Sequence, residues 1–318
     1  LVSIVIPARN EARHLARVFA ALAALDYPPH RREVILVDNG SVDETAAIAK
    51  RHGARVIPAP GGNVGEVRNI GARAALGEVI AFLDADCLVA PGWLRAAVGV
   101  LDHARAGAVG GNCTVGSEGN WIQRAWAVEP RDATADARTL ATASFILRRK
   151  LFEELGGFDA ALGAGEDDDL SQRIRAAGYR LQRAAECSVV HLGYPDTLGG
   201  VMRRQLWHGR SQLHGALSDP MLLLTHLFAL LLFLLIPAGL LWGTPGAAVA
   251  GAAGTAVCAA LPALRKERRA AEFSARRLGQ RVVVYWWFLL GRAGGLVLNY
   301  LDRLGRAWPA AHAGQGRP

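Results

Sequence analysis

Two periods of hydrophobic and polar positions share the N-terminal half of the chain. VSIVIPA is β-branched and ends at a turn, which predicts a buried strand. From Glu11 onward Leu15, Val18, Phe19 and Leu22 recur at helical spacing and stop before DYPP. EVILVD reads as a second strand ending on Asp38, SVDETAAIAKRHG as a helix opened by a capping motif and closed at Gly53, and RVIPA as a third strand. GEVRNIGARAALG predicts a helix up to Gly77, and EVIAFLDAD a fourth strand. Strands alternating with helices over short connections imply an α/β fold built on a mainly parallel, doubly wound sheet, whose ligands bind at the carboxyl ends of the strands. Asp38 lies at one such end, and Asp84 and Asp86 at another.

Beyond Cys87 the pattern loosens. PGWLRAAVGVLD predicts a helix with proline at its start, AGAVGGNCTV a strand, and residues 117–140 are readable as helix or loop. TASFILRR predicts a strand, KLFEELGG a short helix, and DLSQRIRAAGY a helix with Leu170, Ile174 and Ala177 on one face and Gly178 as its stop.

A different pattern governs the C-terminal third. Met221 to Leu264 contains no Asp, Glu, Lys or Arg. MLLLTHLFALLLFLLIPAGLLWG meets the roughly 20-residue length of a membrane-spanning helix, the alanine-rich Ala247 to Leu264 is a second candidate, and GTPG turns the chain between them. The basic residues of RKERRAAEFSARRLGQR and VMRRQLWHGR flank this hairpin on both sides, so both of its ends are expected in the cytoplasm. A third apolar stretch, Val282 to Leu301, carries Arg292 near its middle. Arginine at a bilayer centre costs about 2.5–3.5 kcal/mol on insertion scales. An interfacial helix with Trp286 and Trp287 at headgroup level is therefore favoured, with a third span left open. The expected organisation is a cytoplasmic α/β domain over residues 1–200, a basic interfacial helix or linker over 201–220, and a membrane region over 221–301. The membrane region has spans near 221–242 and 247–264 and the stretch 282–301, and a 302–318 tail follows.

Composition agrees. Of 318 residues 51% are hydrophobic and mean hydropathy is +0.18, high for a purely soluble protein. The net charge of +8 could suggest nucleic acid, but much of the excess flanks the apolar segments and is read as contact with anionic lipid. Cys87, Cys113, Cys187 and Cys258 form no CxxC pair and no zinc spacing, and are read as small buried side chains.

The candidate chemistry is acidic. In FLDADC, alternate side chains at a strand end point the same way, so Asp84 and Asp86 can share a hard divalent ion. GAGEDDDLSQR sets Glu166, Asp167, Asp168 and Asp169 side by side. Crowded carboxylates raise one another's pKa, and a helix N-terminus opposes that by about 0.3–1 kcal/mol.

The motifs VSIVIPARNE, VDNGSVDET, VRNIGARAALGEVIAFLDAD and GGFDAALGAGEDDDLSQRIRAAGY, in that order, resemble the family 2 inverting glycosyltransferases of GT-A fold across roughly residues 1–192. The resemblance implies a nucleotide-sugar donor, a divalent metal (Mg²⁺ or Mn²⁺) and inversion at the sugar carbon. It implies that Pro7, Ala8, Arg9 and Glu11 hold the nucleoside, Glu11 facing the ribose, while Asp38 and its neighbour Asn39 meet the base. Arg68 would approach the diphosphate, Asp84 and Ala85 would contact the donor, and Asp86 would ligate the metal with His191. Asp167 would be the catalytic base with Glu166 beside it at the acceptor side, Asp169 would brace the helix, and Asp168 would be solvated.

RRQLWHGRSQ resembles the Gln-x-x-Arg-Trp motif of processive synthases only in part, because Leu206, Trp207 and His208 follow Gln205. That counts against processive polymerisation and leaves Trp207 and Arg210 as candidate contacts for an acceptor or its phosphate. The reading is a multi-pass protein of the cell (inner) membrane that passes one sugar to a lipid-linked or membrane-associated acceptor. A polyprenyl-phosphate acceptor and a non-catalytic carbohydrate-binding protein on the same fold are the alternatives. A nucleotidyltransferase would need a Gly-rich, Lys-bearing loop where PARNEARH stands, and a glycoside hydrolase leaves Asp38 and the Asp-x-Asp unexplained.

Overall fold

The computed structural model describes residues 1–102, 106–127, 134–211, 220–270 and 272–307, the side chains of residues 210, 211, 220 and 303–307 excepted. Residues 212–219 of the expected linker and most of the 302–318 tail lie outside the described residues. Two compact units divide the chain, Leu1–Gly119 with Ala127–Tyr194, and Asn120–Trp126 with the chain from Pro195 onward.

The first unit opens as β1 (Val2–Ala8), α1 (Ala12–Ala23), β2 (Arg32–Asp38), α2 (Thr45–Arg51), β3 (Arg55–Pro58), α3 (Val64–Ala74) and β4 (Val79–Leu83). β5 (Cys87–Val89), α4 (Trp93–Leu101), β6 (Ala106–Gly110) and β7 (Cys113–Thr114) follow, while α5 (Trp121–Trp126) belongs to the second unit. β8 (Ala135–Ala137), β9 (Ser144–Arg148), α6 (Arg149–Glu154), α7 (Glu166–Ala176), β10 (Arg180–Arg183) and β11 (Val189–His191) complete the first unit. The main sheet has the order β3-β2-β1-β4-β9-β6-β10-β8, and β5-β11-β7 form a second, three-stranded sheet. β1 to β4 run parallel and β6 runs parallel to β10, while β9 and β8 are antiparallel to their neighbours. The sheet is mostly parallel but mixed.

Strand periodicity explains why both faces are covered. Ile4, Ile6, Leu36, Ala81 and Leu83 face one core with Leu15, Val18 and Leu22 of α1. Val5, Ile35, Val37, Ile80 and Phe82 face the other with Val67 of α3, Phe152 of α6 and Ile174 of α7. The single strand expected over AGAVGGNCTV is broken into β6 and β7, which join different sheets. A side chain at Gly111 would overlap the backbone of Cys187, so the chain crosses between the sheets where only glycine fits. Residues 117–140 contain both α5 and β8, with 128–133 outside the described residues.

The second unit is helical: α5, α8 (Leu198–Ser211), α9 (Pro220–Leu230), a π-helical turn at Leu231–Leu235, α10 (Ile236–Leu241), α11 (Pro245–Glu267) and α12 (Ala275–Ala307). Pro237 lies in the first turn of α10 and has no N–H to donate, and the wider turn just before it re-registers the helix. Met221–Leu241, Pro245–Glu267 and Ala275–Asp302 are each long and apolar enough to cross a membrane. Small residues set the packing. A Cβ at Gly251 would lie 2.7 Å from Ile236, one at Gly254 would lie 2.8 Å from Leu231, and Gly291 of α12 abuts the Met202 backbone of α8. Three cations of the basic stretch are spent on internal bonds. Lys266 donates to the carbonyls of Ala125 and Trp126 at 2.7 and 2.8 Å, and buried Glu267 pairs with Arg277 and Arg281 at 2.6 and 2.7 Å across the α11–α12 turn.

Candidate active site

The loops after β1 and β2 hold each other at the carboxyl edge of the sheet. Asn10, with φ of 57°, donates its N–H to Ser41 Oγ at 3.0 Å, and its side chain accepts from Val42 N at 2.9 Å. Glu11 N donates to Thr45 Oγ1 at 2.8 Å, and Asp43 accepts from Ala12 N and Thr45 N, serving the first turns of two helices. This lacing fixes Glu11 and Asp38 on one edge. Asp38 Oδ1 accepts from Ser41 N at 3.1 Å, and Asn39 N donates to Ala8 O at 2.9 Å. Glu11 Oε2 and Asn39 Oδ1 are buried without a hydrogen-bond partner. Pro7 is half-buried, Ala8 is buried and Arg9 is exposed.

Asp84, Ala85 and Asp86 follow β4 directly and lead into β5. β11 pairs antiparallel with β5 and sets His191 opposite Cys87, so a histidine more than a hundred residues away in sequence stands beside the Asp-x-Asp. Ligand atoms of Asp84, Asp86, Cys87 and His191 all lie within 4.8 Å of one another. His191 Nδ1 is buried, lacks a hydrogen bond and faces Asp86 Oδ2 at 3.7 Å. Two carboxylates, an imidazole nitrogen without a proton partner and a sulfur form a donor set that fits a divalent cation.

Arg68 ties this edge to the acidic run. Its guanidinium is buried, donates to Asp84 Oδ1 at 2.7 Å and to Glu166 Oε1 at 2.6 Å, and lies over the Phe158 ring at 5.8 Å. Both terminal nitrogens of Arg68, the residue expected to approach a diphosphate, are engaged by carboxylates, and its charge meets the Asp84, Asp86 and His191 group through Asp84. α7 starts after Gly165, whose φ of 85° turns the chain so that Glu166 points inward. Asp169 accepts from Arg173 at 2.6 and 2.9 Å within the helix, and Asp168 is exposed.

The family model for glycosyl transferase family 2 matches residues 3–156. An uncharacterized glycosyltransferase of Mycobacterium bovis is 31% identical over 189 residues, which cover 57% of this chain and 81% of the relative. The chain belongs to glycosyltransferase family 2. Glycosyltransferase AglE of Haloferax volcanii is 28% identical over 246 residues, 74% of this chain and 80% of AglE. Among solved structures, mannosyltransferase PcManGT from Pyrobaculum calidifontis, in complex with GDP-Man and Mn²⁺, superposes with a TM-score of 0.57 at 22% identity, covering 95% of this chain and 87% of that one. At that identity the likeness is one of fold, and the fold is GT-A.

The electrostatics of this glycosyltransferase separate its acids. Burial pushes Asp167 up to about 7, with Glu166 and Asp168 adding to the rise and Arg68 opposing it. Burial likewise lifts Glu11 to about 7, helped by Asp86. Cys87 is fully buried, and desolvation followed by Asp84 and Asp86 holds its thiol well above the usual range. Cys87 is buried, as expected of a small packing side chain, and its sulfur also stands beside Asp84, Asp86 and His191. Nothing in the sequence marks Tyr194, whose ring stacks on His191 at 4.4 Å. Trp207 and Arg210 lie on α8 in the second unit. Trp207 is exposed and meets the His208 ring edge-on at 4.8 Å, and the Arg210 side chain lies outside the described residues.

Proposed function

We propose that this family 2 enzyme transfers one sugar from a nucleotide-sugar donor to a hydroxyl of a membrane-associated or lipid-linked acceptor, in a single displacement that inverts the sugar carbon. The observation that carries the reading is the Arg68 bridge, which joins the Asp-x-Asp edge to the helix start that bears Asp167.

In this reading Asp38 and Asn39 meet the base and Glu11 the ribose. The unsatisfied Glu11 and Asn39 oxygens support polar ligands there. Asp86 and His191, with Asp84 nearby, would hold Mg²⁺ or Mn²⁺, and a bound ion would supply positive charge to offset that on a departing nucleoside diphosphate. Asp167 takes the proton of the acceptor hydroxyl as its oxygen bonds to the sugar carbon, and the bond to the diphosphate breaks with its electron pair on the leaving oxygen. A carboxyl lifted to about 7 is a stronger proton acceptor than an ordinary aspartate, while still half ionised near neutral pH. Glu166, tied to Arg68, fixes the first turn of α7 and therefore the direction of Asp167. The apolar helices of the second unit support membrane anchoring, with both ends of the hairpin cytoplasmic and Trp207 and Arg210 near the acceptor headgroup.

A thermal-shift screen of nucleotide sugars with and without Mn²⁺ tests the donor half of the reading. The expected result is stabilisation by one nucleotide class that depends on the metal. No stabilisation by any nucleotide sugar, with metal present, counts against it.

A further inference from the structure

The three residues after His191 converge on Asp86 and His191 itself, Leu192 through the Asp86 backbone and the next two through side chains. Leu192 N donates to Asp86 O at 2.8 Å, so the backbone of Asp86 is paired to the end of β11. At Gly193 a side chain would overlap Asp86 Oδ2, and its Cβ would lie 3.0 Å from Asp86 Cγ and 3.3 Å from His191 Cε1. The Asp86 carboxylate therefore occupies the space that any other residue at 193 would fill. The Tyr194 ring lies 4.4 Å from the His191 ring with 18° between their planes, and its hydroxyl donates to Cys113 O of β7 at 3.2 Å. The imidazole plane is thus held by a ring that is itself anchored to a neighbouring strand.

We propose that Gly193 and Tyr194 are positioning residues for the divalent cation, Gly193 by leaving room for the Asp86 carboxylate and Tyr194 by fixing the plane of His191. The separation they maintain, 3.7 Å between His191 Nδ1 and Asp86 Oδ2, is beyond hydrogen-bond reach. It is within the span of two ligands each about 2.1 Å from one ion. Packing alone gives no reason for a buried ring nitrogen to stop short of a carboxylate it could bond. A shared cation gives one. The proposal rests on reading Asp86 and His191 as the metal pair.

The test is a Mn²⁺ titration of the full chain in detergent, followed by the paramagnetic resonance signal of free Mn²⁺. The wild type, Gly193→Ala, Tyr194→Phe and Tyr194→Leu are compared, each with a metal-free melting curve. Gly193→Ala is expected to weaken Mn²⁺ binding by about 10–100-fold, the usual effect of disturbing a group that orients a ligand. Tyr194→Leu is expected to lose about tenfold, and Tyr194→Phe, which keeps the stacked ring, to stay within about threefold of wild type. In the metal-free protein, the melting-temperature loss from Gly193→Ala should vanish when Asp86 is also changed to Ala, because the two groups compete for one space. Unchanged Mn²⁺ affinity in Gly193→Ala, or equal affinities for Tyr194→Leu and Tyr194→Phe, overturns the proposal. Failure of the wild type itself to bind Mn²⁺ overturns instead the reading of the metal pair on which the proposal stands.

Discussion

A carboxylate works as a base near neutral pH when its surroundings raise its proton affinity without abolishing its ionised form. Asp167 meets that condition through burial and two acidic neighbours, with Arg68 limiting the rise. Transfer rate is therefore expected to climb as pH passes through about 7, and Asp168→Asn, by removing one raising charge, should move that rise to lower pH. A rate-pH profile identical in the two proteins speaks against this. The stability sign is opposite. The folded-state pKa lies above the ordinary 3.8, so ionisation is disfavoured in the native state, and this group's contribution to stability falls as pH rises from about 4 to about 7. Denaturant melts of Asp167→Asn should lack that part of the slope. Arg68 has the opposite importance. Replacing it by Met strands Glu166 and Asp84 without their counter-charge, at a cost of about 3–5 kcal/mol. Lys should restore little, because an ammonium cannot present the two-sided fork that reaches both carboxylates. Urea unfolding of the two variants measures both expectations.

At the scale of elements, the site depends on loops that brace one another. Asp43 accepts from the first turns of α1 and α2, so Asp43→Ala is expected to cost about 1–2 kcal/mol, as losing a cap does. It should also raise the donor KM, because Glu11 and Asp38 sit on the loosened edge. A normal donor KM in a destabilised variant would separate the two effects and remove the loops from donor binding. The first four strands and their helices were legible because their apolar positions keep clean periods of two and 3.6. Asp84 and Asp86 were legible because a strand end has a direction. The second sheet was not legible. β5, β7 and β11 have three residues or fewer, too few to show a period, and their pairing joins segments more than seventy residues apart. The bridging role of Arg68 was hidden because its second partner, Glu166, lies 98 residues away in sequence. Gly193 gives no signal in sequence at all, because what it does is leave space.

For the whole molecule, the apolar hairpin between two basic flanks predicts an integral membrane protein whose catalytic unit lies on the cytoplasmic side. Extraction of membranes at high pH should leave the full chain in the pellet. A thiol-reactive probe that does not cross membranes should label a cysteine placed at Thr244 from the outside only, and one placed at Ser41 only after permeabilisation. Labelling of both from the same side contradicts the hairpin. The third long helix brings Gly291 against the Met202 backbone of α8 and the Arg292 backbone against Gly209, and the Arg292 guanidinium lies over the Phe288 ring at 5.5 Å. At the centre of the mechanism stands a base, Asp167, directed at an acceptor hydroxyl. Its most direct test is single-turnover sugar transfer by Asp167→Asn at saturating donor and Mn²⁺, with donor affinity measured on the same protein. The expected result is a rate lowered by about 10²–10⁴-fold with donor affinity within a few-fold of wild type. Transfer at the wild-type rate with donor bound normally would contradict it.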